Sequence, residues 1–265
     1  MRPPHATSNQ PVALTIAGSD PSGGAGLQAD LKTFHQHRVY GMSVVTLLTV
    51  QNTVTVSAVE MVPGQPIEAQ LQAVCDDIPP HAAKTGALGN AETIEIVARK
   101  AAHFKFPLVV DPVMISKHGA RLIDDSARDS LVHRLLPHAF LVTPNRFEAA
   151  ALTGLAVDTA SDMESAAAMI AGFGAANVLI KGLVQDDHSI DLLRCGGESH
   201  WIRGELTQTA NTHGSGCVFA AAITAQLACG QDLLASVTHA KQFITEAIRT
   251  SPGLGQGRGP VNMLA

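Results

Sequence analysis

The run Val12-Ala13-Leu14-Thr15-Ile16-Ala17, the glycine-rich joint Gly18-Ser19-Asp20-Pro21-Ser22-Gly23-Gly24-Ala25-Gly26 and the amphipathic stretch 27–37 behind it decide the fold. Six uncharged residues in a row suit a strand covered on both faces. After the glycines the apolar spacing becomes helical, and residues 43–50, rich in Val, Thr and Leu, read as a second strand. Strand, crossover helix and strand make a βαβ unit, and its two strands run parallel.

The alternation continues outward from that unit. Ile67, Leu71 and Val74 mark a helix, as do Ile94, Val97, Ala98 and Ala101. Residues 107–110 form a strand ending at Asp111-Pro112, 139–143 a strand, and 148–152 a helix. Met163, Ala166, Ala167 and Ile170 give a helix face, 177–181 a strand, and 190–195 with 200–202 a hairpin about Gly196-Gly197-Glu198. The expected fold is α/β, with a mostly parallel central sheet and helices on both faces. Neither a low-complexity linker nor an internal repeat interrupts the chain, so residues 11–265 read as one domain behind a flexible N-terminus, 1–10.

Composition narrows the partners. The chain has 265 residues, 46% of them hydrophobic, which suffices for a sizeable core. A net charge of −5 with no Lys/Arg run gives no footprint for nucleic acid or an anionic membrane, so a small molecule is the expected ligand. No stretch reaches the roughly 18 uninterrupted apolar residues of a membrane span, and residues 1–10 lack the apolar centre of a signal peptide. A cytoplasmic location follows as the expectation. Cys75, Cys195, Cys217 and Cys229 fit neither a disulfide framework nor a CxxC zinc pair. His35 and His37, two apart in a helix, point to different faces.

Ligands of such sheets bind beyond the carboxyl ends of the strands. Four ends are loaded with polar residues: 18–26, Gln51-Asn52-Thr53, Asp111-Pro112-Val113-Met114 and Thr143-Pro144-Asn145. All should open onto one crevice. The first loop is no P-loop, because Gly23 is followed by Gly24-Ala25 where Lys-Ser/Thr is needed, and no GxGxxG register fits. It reads instead as a tight turn bringing main chain against a flat substrate, with Asp30 in the following helix facing either that substrate or solvent. Asn145 and Glu148, at i and i+3, suit water-mediated Mg²⁺ binding or a helix cap.

Near the C-terminal end, Asn211-Thr212-His213-Gly214-Ser215-Gly216-Cys217 opens into the apolar run Val218-Phe219-Ala220-Ala221-Ala222-Ile223. A glycine turn at a helix start is an anion site. Cys217 falls in the first turn, where the same field favours thiolate.

From Val12 to about Asn262 the chain resembles the hydroxymethylpyrimidine/phosphomethylpyrimidine kinases of thiamine biosynthesis, members of the ribokinase-like superfamily. The motifs carrying the likeness are 13–33, Gln51-Asn52-Thr53, Asp111-Pro112-Val113-Met114, Thr143-Pro144-Asn145, 148–152 and Asn211 through Cys217. The resemblance implies a three-layer αβα sandwich and ATP- and Mg²⁺-dependent phosphorylation of 4-amino-5-hydroxymethyl-2-methylpyrimidine, then of its monophosphate. It implies that Gly18, Ala87 and Val113 lie against the pyrimidine while Asp30 and Gln51 hold its edge. Cys217 becomes the base, and Gly214, Ser215 and Gly216 the anion hole. Asn145 and Glu148 organise Mg²⁺, Asp111 borders the metal and phosphates, and Lys181 lies near the nucleotide phosphates. A homodimer is implied as well.

Three positions depart from the family pattern. Ala87 stands where Met is common, which widens the pocket and admits a pyridoxal-type substrate as an alternative. Lys181-Gly182-Leu183 lacks a second glycine, and Ser215 replaces Thr but keeps the hydroxyl. Cys217, where sugar kinases carry Asp, favours the vitamin-kinase branch. A noncatalytic binder, the third reading, needs neither the base nor the metal residues.

Overall fold

The computed structural model describes residues 10–114 and 124–265; of the N-terminal stretch 1–10, residues 1–9 lie outside them. In chain order the elements are β1 (Val12–Ser19), α1 (Gly26–Gln36), β2 (Tyr40–Gln51), β3 (Val56–Met61), α2 (Gly64–Asp77), β4 (Ala82–Thr85), α3 (Ala91–Ala101), β5 (Leu108–Val110), α4 (Asp125–Ser130), β6 (Leu141–Val142), α5 (Arg146–Thr153), α6 (Ala160–Gly172), β7 (Val178–Gln185), β8 (His188–Cys195), β9 (Glu198–Glu205), α7 (Ser215–Ala228) and α8 (Leu233–Arg249).

The strands form one sheet in the order β3-β2-β1-β4-β5-β6-β7-β8-β9. From β2 to β7 neighbours pair parallel, while β3, β8 and β9 join antiparallel at the two edges. Alternate side chains of the central strands feed two cores. Leu14, Ile16, Val110, Val142 and Ile180 pack with α2, α3, α5 and α6 residues on one face. Ala13, Val109, Leu141 and Leu179 pack with α1, α7 and α8 residues on the other. The result is the three-layer arrangement, with runs apolar on both faces as a covered parallel sheet requires.

Two strands escape the sequence reading. Ala82-Ala83-Lys84-Thr85 is too short and too poor in branched apolar residues to signal itself, yet β4 lies at the centre of the sheet and is wholly buried. β3 is an edge strand with most side chains half or fully exposed. The chain leaves β1 toward β2 and β3 and returns to β4 on the other side, so the crossovers diverge between β1 and β4. That divergence opens a crevice beyond the strands' carboxyl ends.

Candidate active site

A cavity of about 650 Å³ occupies that crevice. Gly18, Gln51, Ala87, Asp111, Val113, Asn145, Glu148, Lys181 and Gly214, Ser215, Gly216 and Cys217 all line it. The four loaded strand ends thus contribute to one site.

Two helix starts converge on its floor. Gly214, the N-cap of α7, has φ 78°, and a Cβ there would run into the carbonyl of Gly24. Gly26, which opens α1, also has positive φ, and its Cβ would meet the carbonyl of Gly18. Neither helix has a capping side chain, whereas α3, α5, α6 and α8 are capped by Asn90, Asn145, Thr159 and Asp232. Their positive ends therefore face the cavity without a protein anion in the first turn. The N–H of Gly26 donates to the sulfur of Cys217, which brings the two starts together.

Cys217 does not behave as its place in the first turn suggests. Burial pushes its thiol up to about 12; the charge of Lys84 and the Gly26 N–H oppose this, while Asp30 and Asp111 add to it. In the protein alone Cys217 is a thiol, and the helix field loses to desolvation.

Asp30 needs a second correction. It lies neither in solvent nor on the cavity wall but beneath it, with no exposed surface. Its Oδ2 accepts from Thr15 Oγ1 at 2.6 Å and from Lys84 Nζ at 2.8 Å. Lys84 was invisible in the sequence because it sits in the unsignalled β4. Burial works against its charge, but Asp30, Cys217 and Asp111 outweigh burial and hold the ammonium above its ordinary range.

On the opposite wall, Asp111 Oδ1 accepts from Thr143 Oγ1 and Lys181 Nζ, each at 3.2 Å. The last residue of the glycine turn is close by: a Cβ on Gly216 would stand 3.7 Å from Lys181 Nζ and 3.9 Å from Asp111 Oδ2. Lys181 is buried, yet Asp111 and Glu148 keep its ammonium above the usual range. Asn145 and Glu148 form a reciprocal cap on α5: Asn145 Oδ1 accepts from the Glu148 N–H at 2.9 Å, and Glu148 Oε2 from the Asn145 N–H at 2.8 Å. Both also line the cavity, so capping presents them to it in a fixed orientation.

Several lining residues receive no site role from the sequence. Leu206, Phe219, Ile244 and Ile248 make one end of the cavity apolar. Beside them Asp191, buried, accepts from Lys241 Nζ at 2.7 Å and from the Gly182 N–H at 2.8 Å. Asp20 and His213 meet at 2.8 Å between the two helix starts. Each joins segments distant in sequence, which periodicity cannot reveal.

The family model for phosphomethylpyrimidine kinase matches residues 20–262. The chain is 47% identical over 253 residues to the hydroxymethylpyrimidine/phosphomethylpyrimidine kinase of Synechococcus elongatus, covering 95% of this chain and 96% of that one. It is 45% identical to the protein of the same name from Streptomyces coelicolor, over 95% and 94% of the two chains. Among solved structures it is similar to the ADP complex of Bacillus subtilis pyridoxal kinase, with a TM-score of 0.89, 38% identity and coverage of 96% and 97%. It is also similar to phosphomethylpyrimidine kinase from Clostridium difficile, with a TM-score of 0.79, 40% identity and coverage of 89% and 99%.

Proposed function

The chain belongs to the phosphomethylpyrimidine kinase family, and we propose that it moves the terminal phosphoryl group of ATP to the hydroxymethyl oxygen of 4-amino-5-hydroxymethyl-2-methylpyrimidine and then to the phosphate of the monophosphate so formed, on the way to thiamine diphosphate. One observation carries the reading: two uncapped helix starts meet at Cys217 inside a single cavity, with Gln51 on one side and Lys181 and Asp111 on the other.

The pyrimidine lies at the Gly18, Gln51, Ala87 and Val113 side. The Gln51 side chain already donates to Asp20, so its carbonyl oxygen turns to the ring and accepts from the exocyclic amine. Asp30 acts from below, through Lys84, and does not touch the substrate. The transferring phosphoryl group rests on Gly214, Ser215 and Gly216, where backbone N–H groups and the α7 dipole meet developing charge. Lys181 supplies a fixed positive charge at the nucleotide phosphates, and the apolar end by Phe219 and Ile244 takes the base of ATP.

Cys217, whose own proton first passes to solvent through the cavity it lines, takes the proton of the hydroxymethyl group as a thiolate. Its high proton affinity makes the thiolate a strong base once formed. Lys84 and the Gly26 N–H are what the protein sets against the cost of forming it.

The residues fit Mg²⁺ as an assisting ion. The described residues hold no group of three or more His, Cys, Asp and Glu able to cage a metal, and Mg²⁺ in nucleotide sites is held by one or two carboxylates together with phosphates and water. Asp111, whose Oδ2 faces Gly216, would border the ion, and Asn145 and Glu148 would hold it through water. Bound there, Mg²⁺ neutralises phosphate charge during transfer.

The reading includes a homodimer, supported by the exposed apolar side chains Leu48, Val50 and Val59 on β2 and β3. It includes a cytoplasmic setting, in keeping with four unpaired cysteines. No described helix is long and apolar enough to cross a membrane.

Ala87 on the cavity wall favours a second substrate, a pyridoxal-type alcohol, beside the first. Incubation with Mg-ATP and each alcohol, with product masses read, tests both. Phosphate gained by the pyrimidine is expected, and phosphate gained by pyridoxal alone overturns the reading.

A further inference from the structure

We propose that Asp20 and His213 form a clasp that fixes the spacing between the starts of α1 and α7; they are positioning residues, and the proposal rests on the kinase reading above. Both are nearly wholly buried, at 2% and 4% exposure, and come from loops 193 positions apart. A buried carboxylate is tolerated only where hydrogen bonds compensate its desolvation. Those around Asp20 reveal what it holds.

Oδ2 accepts from His213 Nε2 at 2.8 Å and from the N–H of Ala25, the N-cap of α1, at 2.8 Å. Oδ1 accepts from the Ser22 N–H at 2.9 Å and the Ser22 hydroxyl at 2.7 Å. The Gln51 side chain donates as well. One carboxylate therefore ties the glycine loop, the pyrimidine side of the cavity and the residue directly before Gly214. His213 is itself gripped by the C-terminal segment, donating its N–H to the Gly259 carbonyl at 3.0 Å and accepting from the Val261 N–H at 3.3 Å.

Neither helix start carries its own side-chain cap; the Gly26 N–H goes to Cys217 and the Ser215 N–H to the Thr212 carbonyl, and the remaining first-turn N–H groups are open to a ligand. Their separation must then be set from outside the turns. The Asp20–His213 contact does this at both N-caps: Asp20 holds the N–H of Ala25 on one side, and His213 directly precedes Gly214 on the other. Misplacing a donor by an ångström costs about 100-fold in rate while leaving ground-state binding largely intact. The clasp consequently acts on turnover more than on affinity.

The test uses the full chain with Asp20→Asn, His213→Ala, His213→Gln and the double variant Asp20→Asn/His213→Ala. Expected are falls in kcat of about 10- to 100-fold for Asp20→Asn and His213→Ala, with KM for pyrimidine and ATP unchanged. The double variant should be no slower than the slower single one. His213→Gln, whose amide can donate to Asp20, should recover part of the loss. MgADP–aluminium fluoride should bind the two slow variants more weakly while ADP alone binds as before.

Wild-type turnover in His213→Ala, or losses that multiply in the double variant, overturn the clasp. Should Asp20→Asn fail to fold, His213→Ala against His213→Gln decides, and equal turnover of the two overturns it. Wild-type protein without pyrimidine turnover overturns the reading of function instead, and the fluoride complex then judges the clasp by itself.

Discussion

Lys84 Nζ lies 2.8 Å from Asp30 Oδ2, and neither side chain has exposed surface. This ion pair sits under the cavity floor, and removing one partner strands the other charge in the core. Asp30→Asn and Lys84→Met should each cost about 3–5 kcal/mol of stability, the double replacement less than the two singles together. Urea denaturation of the three variants checks this, and singles as stable as wild type would show the pair to be idle.

Cys217→Ala should lower turnover by about 100-fold or more while pyrimidine and ATP affinities hold. Steady-state kinetics beside calorimetric titration separates the two quantities. Unchanged turnover removes Cys217 from the chemistry.

The thiol itself offers a check without any substrate. With its protonation pushed up to about 12 by burial, Cys217 is thiol throughout the neutral range, and only the thiolate alkylates. Iodoacetamide labelling of Cys217 should lag far behind that of the exposed Cys229 at pH 7.5 and climb about tenfold per pH unit as the solution becomes alkaline. Peptide mass spectrometry reads both sites at once. Labelling at neutral pH as fast as at Cys229 contradicts the assignment.

Gln51→Ala should weaken pyrimidine binding by about 1–3 kcal/mol in the absence of ATP, since a buried ring amine loses its acceptor. Nucleotide affinity serves as the control and should not move.

Glu148 combines two duties that a pair of variants can separate. Glu148→Ala removes the half of the reciprocal cap that accepts from the Asn145 N–H, costing about 1 kcal/mol, and also the carboxylate. Glu148→Gln retains a carbonyl for the Asn145 N–H, so it should keep stability yet raise the Mg²⁺ concentration at half-maximal rate. Thermal melts and Mg²⁺ titrations give the two readings; a Gln variant indistinguishable from wild type in its Mg²⁺ demand leaves Glu148 a cap only.

Much of this was legible in the chain because long apolar runs and glycine joints are local signals. Residues 12–17, the helix behind them and the turn before Val218 announce themselves by period and by breaks in it. β4 does not, since Ala82-Ala83-Lys84-Thr85 owes its burial to neighbours on both sides. The family resemblance puts Asp30 at the substrate's edge; only the packed structure reveals that it pairs with Lys84 beneath the cavity. The helix end alone argues for a Cys217 thiolate, and the sum of burial and nearby carboxylates reverses it. Contacts such as Asp20 with His213 depend on which distant segments meet, and no window of sequence contains both.

Helix α7 is apolar on nearly every side, with Val218, Phe219, Ala220, Ala221, Ala222 and Ile223 buried in unbroken succession. The turn proposed to hold phosphate is thereby the tip of a post packed between α1 and α8. Such a post cannot swing without unpacking the layer around it. Catalysis at the proposed site would then be organised around a fixed point, to which the two ligands must bring themselves.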